Sequence, residues 1–250
     1  MNFIKKILFY IIPNSIINIF IRKNNNIGQI EKRDEKFRTL NNKDIFSIIY
    51  KDRLWGFEEN QEFYSGPGSH ESKITKPYIK CIIQQFKKYS DIKTVLDLGC
   101  GDFNIGQELF QYVNKYIGLD VVEKLINRNK SLYLDTSIEF YCKDIVQDEL
   151  PDGDCVLIRE VLQHLTNSEI AKILNKIIKY KFVIITENIP YGTFKSNMDK
   201  IKGPESRHYL QSGVVIEDPP FNFIYKHKKE LLKLQRPGIG YLITNLYEIS

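Results

Sequence analysis

From residue 94 onward, short apolar runs rich in β-branched residues alternate with longer stretches of helical periodicity. This alternation is typical of parallel strands joined by crossover helices. It predicts five strands in βαβα order and two more strands in the tail. The predicted strands cover residues 94–98, 116–120, 138–142, 155–159, 182–187, 230–235 and 241–249. The pattern therefore predicts an α/β fold.

The first 43 residues follow a different pattern. The apolar run between Lys5 and Lys23 is too short to span a bilayer and is broken by Pro13. It lacks the small-residue cleavage site of a secretory signal. We predict a short helical segment that packs on protein; the alternative is an interfacial anchor that makes a peripheral membrane contact through residues 1–23. A polar, asparagine-rich linker follows, so the predicted domains are 1–43 and 44–250.

Charge and cysteine content narrow the partners and the compartment. The net charge of +5 lies in residues 1–53, where Lys and Arg outnumber Asp and Glu by 11 to 5. The remaining chain lacks the basic excess of a nucleic-acid surface, so no nucleic-acid partner is expected. The cysteines form no CxxC pair and the histidines are dispersed. Reduced thiols, a cytoplasmic location and no metal site are predicted.

The sharpest motif follows the first predicted strand. Val95–Leu98 is apolar except for Asp97, and it leads into Gly99-Cys100-Gly101. Glycines allow a ligand to approach the backbone closely, and doubly wound sheets bind nucleotides at this strand end. The glycine spacing disfavours a dinucleotide. We therefore predict a cofactor pocket at this turn.

Two further motifs lie at predicted strand ends. Asp120 ends the second strand, 23 residues after Asp97, where a carboxylate can accept hydrogen bonds from both ribose hydroxyls. Asp144 follows the third strand and is suited to the adenine amino group, with Ile145 beside the ring. The alternative for Asp144 is a helix N-cap.

These three motifs together resemble the first three motifs of class I S-adenosylmethionine-dependent methyltransferases. The resemblance implies a Rossmann-like sheet of seven mostly parallel strands with helices on both faces, and S-adenosylmethionine as the cofactor. The common third glycine of the family is replaced by Phe103, which is a departure in the methionine pocket. The predicted cofactor-binding residues are Asp97, Gly99, Cys100, Gly101, Asp120, Val121, Asp144, Ile145 and Arg159.

Polar residues at the exit of the fourth strand are the candidate catalytic groups. A positioned histidine suits the removal of a proton from a hydroxyl acceptor, so His164 is the candidate general base. Arg159 and Glu160 are the candidate orienting groups. The alternative for His164 is that it packs after the strand and bonds a backbone carbonyl.

Two flanking segments, residues 48–69 and 203–222, carry glycine, aromatic and basic residues and are expected to border the active site. Their motifs are Tyr-x4-Trp-Gly beginning at Tyr50, Ser65-Gly66-Pro67-Gly68-Ser69, Ser212-Gly213-Val214 and Pro219-Pro220-Phe221-Asn222. They resemble bacterial methyltransferases of capsule, lipopolysaccharide and other surface-glycan pathways. The resemblance implies O-methylation of a sugar, a nucleotide-activated precursor or a phosphoramidate-type capsule substituent. Arg159, Arg207 and His208 are candidates for binding an anionic acceptor. The predicted substrate-binding residues are Trp55, Tyr64, Ser65, Gly66, Arg207 and His208.

Two alternatives to this function stay open. The same fold hosts N- and C-methyltransferases of lipid, quinone and other small-molecule metabolism. The alternative from a different class of function is a non-catalytic scaffold that retains the cofactor pocket. The presence of Asp97, Gly99, Gly101 and Asp120 speaks against a scaffold. Oligomeric state cannot be read from the sequence.

Overall fold

The computed structural model describes residues 28, 32–33, 35–135 and 137–249. The chain separates into two compact units, Met1–Leu40 and Asn41–Ser250. The domain boundary predicted between residues 43 and 44 stays a prediction, and the predicted apolar segment at residues 1–23 lies outside the described residues. No helix in the described part of the chain is long and apolar enough to cross a membrane.

The second unit contains thirteen helices and strands in its described part, apart from three short 3₁₀ turns. The helices are α1 (Asn42–Lys51), α2 (Pro67–His70), α3 (Ser72–Lys88), α4 (Gly106–Leu109), α5 (Glu123–Leu132) and α6 (Asn167–Ile177). The strands are β1 (Thr94–Leu98), β2 (Lys115–Asp120), β3 (Ile138–Cys142), β4 (Cys155–Arg159), β5 (Phe182–Ile189), β6 (His227–Arg236) and β7 (Gly240–Glu248).

These strands form one sheet in the order β3-β2-β1-β4-β5-β7-β6. The first five strands pair in parallel, and β7 lies antiparallel between β5 and β6. The order reverses between β1 and β4, which places a crevice at their carboxyl ends. The predicted Rossmann-like fold of seven mostly parallel strands is confirmed. The main difference is in β6, which extends beyond its predicted span at both ends, because polar residues on a solvated edge strand leave no apolar signal.

Alternate residues of each central strand enter two different cores. Leu96 and Val156 pack on one face of the sheet with Ile173 of α6. On the other face, Val95 packs with Ile82 of α3. Because both faces are covered by helices, the central strands are apolar at nearly every position, which explains why the sequence predicted them well.

The turn after β1 is stabilised by one aromatic side chain. Phe103 is fully buried at a positive φ of 64°, and its ring lies 4.8 Å from the rings of both Tyr133 and Phe140. A Cβ atom at Gly106 would overlap the Phe103 ring. The residue that replaces the third glycine of the family motif is therefore a core residue, and Gly106 leaves the space that this ring fills.

We expect Gly106→Ala to lower the free energy of unfolding by about 1–3 kcal/mol, because the added methyl group must displace the Phe103 ring. Urea unfolding measures this loss. Glu108→Ala, an exposed change in the same short helix, is the matched control. Phe103→Leu combined with Gly106→Ala should lose less than the sum of the two single changes. A Gly106→Ala protein as stable as the control would contradict this account.

Candidate active site

A cavity of about 260 Å³ opens at the carboxyl ends of β1, β2 and β4. At one end, here called the cofactor end, it is lined by Gly99, Gly101, Asp120, Val121, Asp144, Ile145 and Arg159. At the other, here called the acceptor end, it is lined by Trp55, Gln163, His164, Asn188, Pro204, Ser206, Arg236 and Ile239. The structure therefore brings most of the predicted cofactor residues and His164 to one cavity.

Backbone conformation brings the glycine turn close to the cavity. Gly99 and Gly101 have φ angles of 78° and 55°, in the region that favours glycine. A Cβ atom at Gly99 would lie 2.6 Å from a methyl carbon of Val161, and one at Gly101 would overlap the Ser65 hydroxyl. The turn thus needs both glycines for its shape and for its close packing.

Two buried carboxylates lie beside this turn. Asp120 accepts hydrogen bonds from the backbone N–H groups of Gly101 (3.1 Å) and Val122 (3.0 Å). Asp97 accepts from the Tyr116 hydroxyl at 2.9 Å and is not part of the cavity wall. Burial raises the pKa of each carboxyl group to about 6. Above this pH, Asp120 therefore has a carboxylate in the cavity wall. Asp97 lies behind that wall, bonded to Tyr116.

At the far side of the cofactor end, Asp144 is held by two groups. Its carboxylate accepts from the Asn42 side-chain amide at 3.2 Å and from the Val146 N–H at 2.9 Å. A turn, and no helix, follows Asp144. Asp144 therefore caps a turn where the alternative expected a helix, and Asp144 and Ile145 both line the cavity.

Arg159 and Glu160, at the end of β4, form an ion pair of 3.3 Å. Arg159 donates to the carbonyl of Gly68 at 2.6 Å and lies 4.8 Å from the centre of the Tyr78 ring. Its buried Nε has no partner among the described residues. A guanidinium fixed on one side with a spare donor is suited to a carboxylate ligand.

The Glu160 carboxylate connects β4 to two later strands. Its Oε1 accepts from Arg236 Nη1 at 2.7 Å and from the Asn188 amide at 2.8 Å. Burial acts to raise the pKa of Glu160, but Arg159, Arg236 and the Asn188 amide together hold this pKa below its ordinary value. Glu160 is consequently a carboxylate at neutral pH.

His164 ends a 3₁₀ turn, Leu162–His164, just after β4. Its Nδ1 lies 3.1 Å from the Gly203 carbonyl, and its Nε2 lies 3.4 Å from the Gln163 amide nitrogen. Burial, followed by the charge of Lys200, lowers the pKa of His164 to about 4. The imidazole is therefore neutral at pH 7, with its proton on Nδ1 and a lone pair on Nε2. The structure thus shows the contact of the alternative for this residue, because His164 packs after the strand and bonds a backbone carbonyl.

Ser65 attaches the segment before α2 to the glycine turn. Its N–H donates to Asp102 Oδ2 at 2.8 Å, and its hydroxyl accepts from the Asp102 N–H at 2.9 Å. The hydroxyls of Tyr50 and Ser65 lie 2.9 Å apart, and His70 Nε2 lies 2.7 Å from Asp102 Oδ2. Ser65 and Gly66, both predicted at the substrate site, line the cavity through this attachment.

Trp55, in the segment after α1, lies in the wall of the acceptor end. Its indole N–H donates to the Pro204 carbonyl at 3.0 Å, and its ring lies 5.2 Å from the His164 ring. The loop after β5 and the segment after α1 therefore meet over the candidate base. A contact of this kind excludes water from the acceptor end.

Three of the predicted substrate-binding residues do not line the cavity. Tyr64 stacks on His70 with ring centres 4.4 Å apart and does not line the cavity. Arg207 is 1% exposed and donates to the Leu165 carbonyl at 2.7 Å. His208 lies outside the cavity wall, and burial and then Arg236 lower its pKa. Arg207 is a core residue because the 3₁₀ turn that carries it points its side chain inward.

Cys100 also lies outside the cavity wall, with its thiol packed toward Gly118. All four cysteines are free. In the described part of the chain, no three His, Cys, Asp or Glu side chains are placed to hold a metal ion.

The sequence reasoning missed several residues of the cavity. Asn188 is a polar residue at the end of the apolar strand β5, so its position was a usable signal. Asn42 comes from α1, and Arg236 comes from the edge strand β6. These two residues reach the cavity only through tertiary packing, and no local pattern marks them. Tyr50, also in α1, lies in the flanking segment that is predicted to border the site.

Comparison with known proteins agrees with this geometry. Residues 95–180 match a family model described as a methyltransferase domain, Methyltransf_25. A 94-residue segment is 31% identical to phosphoethanolamine N-methyltransferase 1 of Triticum aestivum. That segment is 35% of this chain and spans 19% of the length of the wheat protein.

Solved structures share the fold at low sequence identity. The N-methyltransferase NodS from Bradyrhizobium japonicum, in complex with S-adenosylhomocysteine, is 12% identical, with a TM-score of 0.54 over 83% of this chain and 98% of that one. Human N-acetylserotonin methyltransferase, in complex with S-adenosylmethionine, is 15% identical, with a TM-score of 0.53 over 84% and 61%. The bifunctional kinase-methyltransferase WbdD is 15% identical, with a TM-score of 0.51 over 74% and 42%.

The fold is that of class I S-adenosylmethionine-dependent methyltransferases. Residues 95–180 match a methyltransferase domain, which confirms the resemblance predicted from the motifs. S-adenosylmethionine, the predicted cofactor, is the cofactor of the class.

We expect Arg207→Ala to destabilise the protein and not to weaken cofactor binding. Removing this guanidinium leaves the buried Leu165 carbonyl without its donor, which should cost about 2–3 kcal/mol. Urea unfolding and calorimetric titration with S-adenosylhomocysteine measure the two effects. Lys195→Ala, an exposed change before the same loop, is the control. Unchanged stability in Arg207→Ala would show that Arg207 is not a structural residue.

Proposed function

We propose that the chain is an S-adenosylmethionine-dependent methyltransferase that O-methylates a small polar acceptor. One observation carries this proposal: a single cavity joins a cofactor end containing Asp120 to an acceptor end containing a neutral histidine, His164. A scaffold without catalysis has no need for a buried base beside its cofactor pocket.

The residues of the cofactor end fit S-adenosylmethionine. The Asp120 carboxylate is suited to the ribose hydroxyls, and Asp144, Val121 and Ile145 line the position suited to the adenine ring. Arg159, with its unpartnered Nε, is suited to the carboxylate of the methionine portion. Bound there, the cofactor would supply an electrophilic methyl group on a sulfonium. We propose these roles together with a supporting role for Asp97 and Cys100 beneath the turn.

The chain's own contribution to catalysis is alignment and proton removal. Methyl transfer from a sulfonium requires the acceptor atom to be held in line with the methyl group. In our proposal, His164 Nε2 accepts the proton of the acceptor hydroxyl. The Gly203 carbonyl holds the imidazole in the tautomer that leaves Nε2 unprotonated, and the acceptor hydroxyl would replace the Gln163 amide, 3.4 Å away, as the partner of this nitrogen. Trp55 and Pro204 exclude water from the same end.

We propose an acceptor that is a sugar, a nucleotide-activated precursor or a phosphoramidate-type substituent. The support is the resemblance to surface-glycan methyltransferases, which also favours capsule polysaccharide synthesis in the cytoplasm. The four free thiols agree with a reducing compartment. The name of the wheat relative favours a second candidate, N-methylation of an amine on a phosphate-bearing molecule.

We propose that residues 1–23 either pack on protein or contact a membrane peripherally. Pelleting with anionic vesicles separates the two when the full chain is compared with a variant that begins at Asn24. Pelleting that requires the first 23 residues supports the membrane contact.

We expect Asp120→Ala to weaken S-adenosylhomocysteine binding by about 100-fold or more. Loss of two hydrogen bonds to a charged acceptor is worth about 3 kcal/mol, and each 1.4 kcal/mol is a factor of ten. Calorimetric titration measures the change, with exposed Asp152→Ala as control. Because the pKa of Asp120 is about 6, affinity of the unchanged chain should fall as the pH is lowered through 6. Normal affinity in Asp120→Ala, or no binding by the folded wild type, would refute the proposed cofactor site.

We expect His164→Asn to lower kcat by about 10²–10⁴-fold with a hydroxyl acceptor and to leave cofactor affinity within about twofold. The acceptor is first identified by mass spectrometry among sugars, nucleotide sugars, phosphoramidates and phosphoethanolamine. His227→Asn, at an exposed position of β6, is the control. A loss of less than tenfold would exclude His164 as the base, and together with methylation of the amine substrate it would favour the N-methyltransferase.

A further inference from the structure

Arg236 brings a second guanidinium to the acceptor end of the cavity. It is the last residue of β6, and its side chain is 12% exposed. Nη1 donates to Glu160 Oε1 at 2.7 Å and to Asn188 Oδ1 at 2.9 Å. Within the part of the chain that the structure describes, these are the hydrogen bonds of the guanidinium. Nε and Nη2 are therefore donors that remain for a ligand in the cavity.

Arg236 shares its carboxylate partner with a second guanidinium. Glu160 lies between the two arginines, since it pairs with Arg159 at 3.3 Å and with Arg236 at 2.7 Å. All three side chains are at least 87% buried, and a buried charge without a counter-charge is costly. Arg236 therefore does not have the Glu160 carboxylate to itself.

The two arginines flank the same carboxylate but differ in their other contacts. The charge of Arg159 acts on Asp97 beneath the glycine turn, and its guanidinium is fixed by Gly68 before α3. Arg236 instead contacts Asn188 at the end of β5 and lies in the acceptor wall. The carboxylate of the cofactor is therefore assigned to Arg159, and Arg236 stays available to the acceptor.

Nearby positive charges lower the pKa values of two histidines. The pKa of His208 is lowered by burial and then by Arg236. The pKa of His164 is lowered by burial and then by Lys200, against the opposite effect of Glu160.

We propose that Arg236 binds an anionic oxygen group of the methyl acceptor, with Glu160 and Asn188 holding its guanidinium in position. This inference rests on the proposed function, because it assigns the acceptor to the end of the cavity opposite the cofactor. Nε and Nη2 of a guanidinium form a fork that matches two oxygens of a phosphate or a carboxylate. The hydroxyl of Ser206, in the same wall, is a third donor. The acceptor is thus an acid or a phosphate ester.

The test uses the full chain saturated with S-adenosylhomocysteine, which is titrated with inorganic phosphate and, separately, with acetate. We expect saturable binding of at least one of these anions by the wild type. Arg236→Gln should weaken it at least tenfold without changing the affinity for S-adenosylhomocysteine. Lys233→Gln, an exposed change on the same strand, should bind as the wild type does. The preferred anion identifies whether the group is a phosphate or a carboxylate.

Two more variants separate ligand binding from a structural role. Arg236→Lys keeps the charge and the contact with Glu160, so it should fold and bind the anion with intermediate affinity. Glu160→Gln removes the competing carboxylate, so it should strengthen anion binding severalfold. If Arg236 serves only as the counter-ion of Glu160, Arg236→Gln and the wild type will bind the anion equally, whatever the effect of Glu160→Gln.

Three results would overturn the assignment of Arg236. One is the absence of anion binding by wild-type protein that has S-adenosylhomocysteine bound. Another is equal anion affinity in Arg236→Gln and the wild type. The third is a parallel loss of S-adenosylhomocysteine affinity in Arg236→Gln, which would assign Arg236 to the cofactor. Failure of the wild type to bind S-adenosylhomocysteine at all instead refutes the proposed function, so the two failures are distinguishable.

Discussion

The acceptor end of this molecule depends on one buried carboxylate that is kept charged. Glu160 contacts Arg159 beside it, Asn188 of β5 and Arg236 of β6, so a single side chain connects three strands. Removing one partner of such a cluster leaves an uncompensated buried charge, which typically costs about 3–5 kcal/mol. The positions of these groups are therefore coupled, and the wall of the cavity is fixed by charge as much as by packing.

The cofactor end is stabilised in a different way. Ser65 and Asp102 exchange hydrogen bonds with each other's backbone, so the segment before α2 is attached directly to the glycine turn. Buried Phe103 supports the turn from the core side. Hydrogen bonds to Asp102 and apolar packing thus shape this end, and Asp120, Asp144 and Arg159 bring charged groups to its wall.

The features that could be predicted from the sequence are those that local patterns of residues encode. The central strands are covered on both faces, so their apolar runs were visible, and the glycines and acidic residues at their ends followed from chain geometry. Arg207 was predicted at the cavity because arginines in loops bind anions, but its side chain turns into the core. Arg236 was missed for the opposite reason, since it belongs to a solvated edge strand whose pairing with β7 brings its end to the cavity. Long-range pairing of this kind leaves no local signal.

The antiparallel position of β7 has a consequence for how acceptor choice changes in such proteins. The tip that joins β6 to β7, with Gly238 at a φ of 76°, lies between Arg236 and the cavity residue Ile239. Insertions at a hairpin tip are tolerated because they leave the paired strands intact. A change in the length of this tip would move both side chains while the cofactor turn after β1 stays as it is. A change at this tip would therefore reshape the cavity wall that Arg236 and Ile239 form, at the cost of the contacts between Arg236, Glu160 and Asn188, and would leave the turn after β1 unchanged.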